Sequence, residues 1–308
     1  MMHDLWWTRG ESQFLRQFLQ NSRGVLDWFE SRLTSSGLLG QLQWWNFVDW
    51  TDDFKSGVPP QEADGRSAIL SLQFAAALGE QADLESDFGS SERAQHYRNL
   101  AARIVEAVRK ECWDRARQLM ADTPAKQHFS QHANIVAVLT DAIPAVEQQG
   151  VMRTVLSDAK LTQCSYYFRY YLFRAMKKVG LGDEYLNQLG PWREMLALGL
   201  TTWAEKPEPT RSDCHAWSAH PNFDLLATVA GIESAAPGFG EVAIAPHLGQ
   251  LKQVTASMSH PRGEITVRYE RKEKSLVADV TLPERLSGWF YSGGKKIKLH
   301  GGRQRLTL

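Results

Sequence analysis

Up to residue 231 the chain repeats apolar side chains at intervals of three and four, the spacing that gathers them on one face of an α-helix. His3 to Arg9 has the pattern of a helix end, broken by Gly10. Phe14, Leu15, Phe18, Leu19, Val25, Leu26, Phe29 and Leu33 form a stripe that predicts a helix over 12–33, stopped by Gly37 and Gly40. Further helices are predicted over 63–84 and 91–112. After an irregular stretch, a short one ends near Leu139, and another runs from Pro144 toward Asp158. The strongly aromatic run 165–179 is closed by Gly180 and Gly182, and helices over 183–198 and 215–230 complete the series. Two stretches interrupt the pattern. One is Trp44 to Asp53, followed by the breaker Gly57-Val58-Pro59-Pro60. The other is Thr201 to Trp217, where Pro207 and Pro209 lack an N–H and forbid a regular helix.

Past Ile232 the pattern changes to short alternating runs at 242–244, 251–258, 265–269, 276–282, 289–291 and 296–299, separated by Gly, Pro and charged turns. The expected organisation is therefore mainly α followed by all-β, with a helical domain over 1–231 and a β-sandwich over 232–308. Helical hairpins joined by elaborated loops suggest an α/α toroid around a pocket. An α-solenoid should show a fixed repeat period, and none is present.

Charge sharpens this picture by exclusion. The 35 basic and 35 acidic residues balance, so the chain lacks the basic excess of a nucleic-acid binder. No apolar run is long enough to cross a bilayer, and the N-terminus lacks a signal-peptide pattern. Three cysteines without CxxC spacing imply neither a disulfide framework nor zinc, and fit a reducing, cytoplasmic setting. His128 and His132 stand four apart without a third ligand nearby, so neither a metal nor any other cofactor is expected.

The two interruptions carry the candidate chemistry. Residues 201–217 hold Trp203, Glu205, Glu208, Arg211, Asp213 and His215, the mixture of rings, fixed polar groups and acid that a pocket for a neutral polar ligand requires. Glu205 is the candidate base and Glu208 its rival. Asp213 reads as the N-cap of a helix opening at His215, and Arg211 either orients a carboxylate or is solvated. In Trp44-Trp45-Asn46-Phe47-Val48-Asp49-Trp50, Asp49 is either a cap or turn residue, or a carboxylate that binds hydroxyls between aromatic walls. Most of the 11 Trp are expected in cores, and most of the rings over 166–173 likewise, with one or two lining a pocket.

Those strings resemble the C-terminal half of bacterial α-L-rhamnosidases, glycoside hydrolase family 78. Trp44 to Trp50 resembles the family's aromatic-Asp-Trp loop, and Thr201-Thr202-Trp203-Ala204-Glu205 its Thr-Thr-x-x-Glu loop. Ser212-Asp213-Cys214-His215 is similar to its Ser-x-x-His segment, and Pro237 to Pro246 to the entry into its C-terminal β-domain. The resemblance implies a partial (α/α)6 toroid and an inverting glycosidase that cleaves terminal rhamnosides with two carboxyl groups. It puts Glu205 at the general base, and Trp44, Trp45, Asp49, Trp50, Trp203 and His215 at the sugar. The family's acid motif, Arg-Glu followed by Gly-Trp and Gly-Asp, is absent from the sequence, and periodicity supplies about eight helices where a full barrel needs twelve. The expectation is a chain lacking the N-terminal part of the barrel, either a fragment of a longer enzyme or one completed by another, upstream polypeptide, and feebly active or inactive alone. The alternatives are another (α/α)6 sugar hydrolase, a non-catalytic carbohydrate-binding protein that keeps Asp49, the Trp walls and His215, and a helical scaffold.

Overall fold

The computed structural model describes residues 1–273 and 275–308. The chain packs as two compact units, one of residues 13–179 and 204–217, the other of 1–12, 180–203 and 218–308.

The first unit is helical. Helix α2 (Ser12–Glu30), which follows the short α1 (Met2–Arg9), buries Leu15, Leu19 and Leu26 and leaves Phe14, Phe18 and Val25 exposed. Helix α3 (Ala68–Phe88) buries side chains on nearly every face, as an apolar helix at the centre of a core does. It starts five residues later than its sequence pattern suggests, because Gly65 at φ +87° closes a turn with Glu62. Helix α4 (Ser91–Cys112) lies antiparallel to α3 across a two-residue turn and presents Ala94, Tyr97, Leu100, Ile104 and Val108 inward. The Ser90 hydroxyl caps it by accepting from the Arg93 N–H.

Within the stretch expected to be irregular, β1 (Trp113–Asp114) and β2 (Leu119–Met120) make a small hairpin. Asn134 of α5 (Gln131–Leu139) imitates a neighbouring strand there. Its Oδ1 accepts from Met120 N–H at 2.8 Å and its Nδ2 donates to Met120 O at 3.0 Å. Helix α5 packs against α3, α6 (Ala145–Ser157) and α7 (Tyr166–Lys178). At 0% exposure Glu85 of α3 ties this unit together. Arg23 of α2 donates to both its oxygens at 2.7 and 2.8 Å, Ser90 N–H at 3.1 Å and Gln81 at 3.2 Å.

In the second unit the segment 183–198 is not one helix. A 3-10 run (Gly182–Gln188) precedes α8 (Gly190–Ala197), with Pro191 in the first turn of α8, where a missing N–H costs nothing. The segment 215–230, whose first three residues belong to the first unit, departs further. It is a 3-10 turn (Ala216–Ala219), the short α9 (Pro221–Asp224) and a π-helical turn (Leu225–Val229), since Pro221 cannot continue a helix begun at His215. Asp213 is accordingly exposed ahead of a 3-10 turn and caps no α-helix at His215.

The rest of the unit is a sandwich of two four-stranded sheets. One has the order β3 (Ile232–Ser234), β4 (Glu241–Ile244), β8 (Ser287–Ser292), β9 (Lys295–Leu299), with β4 and β8 parallel. The other has the order β10 (Gly302–Thr307), β7 (Ser275–Leu282), β6 (Gly263–Lys272), β5 (Gln253–His260), antiparallel throughout. Val242, Ile244, Phe290 and Leu299 of the first meet Ile265, Val267, Tyr269, Val280 and Leu282 of the second in one core. Gly288 lets β8 approach β4 closely, since a Cβ there would strike Val242 O. The Tyr269 hydroxyl donates to Ala230 O at 2.7 Å inside the core. Tyr269→Phe removes that bond and leaves the carbonyl unpaired, so it should destabilise the protein by about 1 kcal/mol, read as a lower midpoint in chemical denaturation.

Candidate active site

The loop that carries Glu205 is closed by its own backbone. Glu205 N–H donates to Ser212 O at 2.9 Å, the Thr210 hydroxyl donates to the same carbonyl at 3.0 Å, and Trp217 Nε1 donates to Glu205 O at 2.8 Å. These bonds replace the helical ladder that Pro207 and Pro209 deny to the stretch. They also turn the Glu205 side chain inward, to 1% exposure.

Three groups hold its carboxylate. Arg211 Nε donates to Oε2 and Nη2 to Oε1, both at 2.7 Å, in the two-pronged geometry at which a guanidinium is most effective. Trp50 Nε1 donates to Oε1 at 3.0 Å. His215 Nε2 stands 3.6 Å from Oε1, while its Nδ1 pairs with Ser212 Oγ at 3.0 Å. The Arg211 hydrogen bonds, together with its charge, His215 and Trp50, outweigh burial and hold the Glu205 carboxyl below its usual value. Oε1 therefore has two donors and Oε2 one. A carboxylate offers about two acceptor positions per oxygen, so the open one is on Oε2.

Aromatic rings surround this group. Phe47 and Trp217 stack at 5.8 Å and 5° between planes, Tyr167 lies 5.3 Å from Trp217, and Phe47 lies 5.1 Å from Trp50. Arg211, itself 68% exposed, passes over the Trp50 ring at 5.3 Å. Tyr167 of the aromatic helix joins this wall. In sequence it is indistinguishable from its neighbours, because which face of α7 turns inward depends on packing.

The residues singled out in sequence are distributed unevenly. Trp50, His215 and Glu205 come together, with Arg211 in its orienting role. Asp49 is wholly buried, and both its oxygens are occupied: Oδ2 by His132 Nε2 at 2.8 Å and Ser165 N–H at 2.7 Å, Oδ1 by the Ser165 hydroxyl. His132 is thus engaged with a carboxylate, and among the described residues no group of three His, Cys, Asp or Glu is placed to hold a metal ion. Trp44 and Trp45, 78% and 60% exposed, line a groove of about 630 Å³ along α2 with Asn21, Val25 and Trp28. Trp45 also reaches the Glu205 surroundings, its ring 5.9 Å from Trp50. Trp203 is half-buried and belongs to the other compact unit. The rival base Glu208 is exposed and accepts from Thr210 N–H, a turn bond.

A mainly helical part that holds a buried, Arg-paired carboxylate on a loop thus precedes a β-sandwich. The sequence profile of the bacterial α-L-rhamnosidase six-hairpin glycosidase domain matches residues 1–225, and that of the bacterial α-L-rhamnosidase C-terminal domain matches 231–288. The chain belongs to the bacterial α-L-rhamnosidase family. It is similar in structure to a family 78 rhamnosidase of Bacillus sp. GL1, with a TM-score of 0.82 and 21% identity over 97% of this chain and 33% of that one. The Streptomyces avermitilis α-L-rhamnosidase complexed with L-rhamnose gives a TM-score of 0.79 at 16% identity, over 99% of this chain and 32% of that one. The Aspergillus terreus enzyme gives 0.77 at 15%, over 100% and 38%. This chain thus spans about a third of the length of these relatives. No curated protein sequence matches it.

One consequence of the ion pair is measurable by itself. Replacing Arg211 with Met removes the largest influence that keeps Glu205 ionised, so its carboxyl should titrate at higher pH than in the parent chain. Carbon-detected NMR of the labelled carboxyl would check the direction. An unchanged midpoint would mean that Arg211 does not hold the group in solution.

Proposed function

We propose that this chain carries the base side of an inverting α-L-rhamnosidase site, and that the general acid comes from a polypeptide outside these 308 residues. The observation that carries the reading is the Glu205 carboxylate, buried, kept ionised and open at Oε2 among aromatic rings. In an inverting hydrolysis, Oε2 takes a proton from water as the water oxygen bonds to the anomeric carbon. The glycosidic bond breaks on the opposite face, and the leaving oxygen takes its proton from the acid. Trp50 and Arg211 fix the direction of the base, and the rings offer apolar faces to the sugar. The side chains that bond Glu205 include no second carboxylate, and Asp49 has both oxygens engaged. The string Arg-Glu, Gly-Trp, Gly-Asp does not occur in the sequence.

The test combines calorimetry with L-rhamnose and turnover of an aryl α-L-rhamnoside. Binding with slow turnover by the chain alone, rising when an acid-bearing upstream segment is supplied, is the expected outcome. Fast turnover by the chain alone, abolished by Glu205→Gln, would refute the external acid. Binding that persists with no turnover in any combination would identify a carbohydrate-binding protein instead.

A further inference from the structure

The buried trio of Asp49, His132 and Ser165 has no part in the chemistry just described. Its members come from three separate elements: the 44–57 loop, α5, and the residue that immediately precedes α7. His132 sits between the rings of Phe54 at 4.7 Å and Phe168 at 4.4 Å, with no partner for Nδ1. The tautomer that leaves only an idle lone pair on Nδ1 carries its proton on Nε2 and donates it to Asp49. Asp49 then accepts three hydrogen bonds, from His132 Nε2–H, Ser165 N–H and the Ser165 hydroxyl. Those three donors occupy both of its oxygens, and the carboxylate lies wholly buried at the N-terminal end of α7. The loop is pinned on its other side as well. Val48 and Asp49 N–H both donate to Gly57 O, and Trp45 Nε1 donates to Ser56 O.

We propose that Asp49 and His132 are positioning residues for Glu205 and act through Trp50, the residue next to Asp49. Resting on the reading of Glu205 as the base, this assigns Asp49 to holding the base in place and leaves sugar recognition to other groups. The path has three links. The trio locks the backbone at Asp49, and that lock sets where the following indole projects. The indole N–H occupies Oε1 at 3.0 Å, leaving Oε2 as the open oxygen. Without the lock the loop can shift, Trp50 leaves Oε1, and the carboxylate is free to turn about Arg211. A misplacement of about 1 Å at a reacting group costs on the order of 10²-fold in rate.

The experiment is an indole N–H spectrum of the ¹⁵N-Trp-labelled full chain. Trp50→Phe assigns the Trp50 resonance, and Glu205→Gln should move it upfield by replacing a charged acceptor with a neutral one. Asp49→Asn should move the same resonance the same way, because the amide presents a donor to groups that are themselves donors. His132→Leu should reproduce the shift, and His132→Gln, which keeps a donor near the Nε2 position, should largely restore the parental position. A Trp50 resonance unmoved in folded Asp49→Asn and His132→Leu would overturn the proposal. Loss of the folded spectrum in both would do the same, by making the trio a support of the fold alone. Because the spectrum requires no turnover, failure of the chain to bind or hydrolyse rhamnosides would sink the glycosidase reading without deciding this one.

Discussion

Glu205→Gln, measured with the acid-bearing segment present, is expected to lower turnover of an aryl α-L-rhamnoside by about 10²–10⁴-fold, the usual value of a general base. The amide keeps the size of the side chain and an oxygen for Trp50 or Arg211, so the loop closed by Ser212 and Trp217 should survive and L-rhamnose should still bind. The loss should therefore fall on kcat and leave KM little changed. On the proposed reading, turnover by the parent chain should also persist well into acid. Arg211, first among the influences on Glu205, holds the carboxyl below its usual value, so the base stays ionised as the pH falls and the acidic limb of the rate profile lies low. A substitution that leaves kcat unchanged would remove Glu205 from the chemistry, whatever its burial.

Glu85→Gln is the second large effect, and it concerns stability. Burial alone would raise the Glu85 carboxyl. The bonds from Arg23, Ser90 N–H and Gln81 outweigh it and hold the group below its usual value. Removing the charge leaves Arg23 facing a neutral amide and one oxygen fewer for two sets of donors. Breaking a buried pair of this kind costs about 3 kcal/mol. The sign of the pH dependence follows. A carboxyl whose folded value is depressed contributes its full stability above the unfolded value of about 4.3, and loses it as the pH falls through the folded value. Denaturation midpoints of parent and variant should therefore differ most at neutral pH and converge in strong acid. Equal midpoints at pH 7 would show that the ion pair adds nothing. Gly89 belongs to the same arrangement, since a Cβ there would collide with Glu85 Oε2.

Elements with a strong period were legible in sequence. Helix α4 matches its expected bounds, since Ser90 supplies the cap and one stripe of apolar residues faces α3. The edge strand β10 went unread. In Gly302-Arg303-Gln304-Arg305-Leu306-Thr307 only Leu306 is apolar, and pairing with β7 makes the strand. The segment 215–230 misled because its apolar residues keep helical spacing. Period does not report the hydrogen-bond ladder, and Pro221 divides that ladder into 3-10, α and π turns.

The order of residues by itself determined the class of fold and the change from helices to strands, and it singled out Glu205 as a candidate carboxylate. Each of these is a local property: spacing, turn chemistry, or a short string around one acid. Only the packed structure decided which partners the carboxylates take. Asp49 and Glu205 both stand beside tryptophans in loops, yet one is enclosed by a histidine and a helix terminus and the other keeps an open oxygen beneath an exposed arginine. Those partners lie up to 155 positions away along the chain, at a separation that no local pattern encodes.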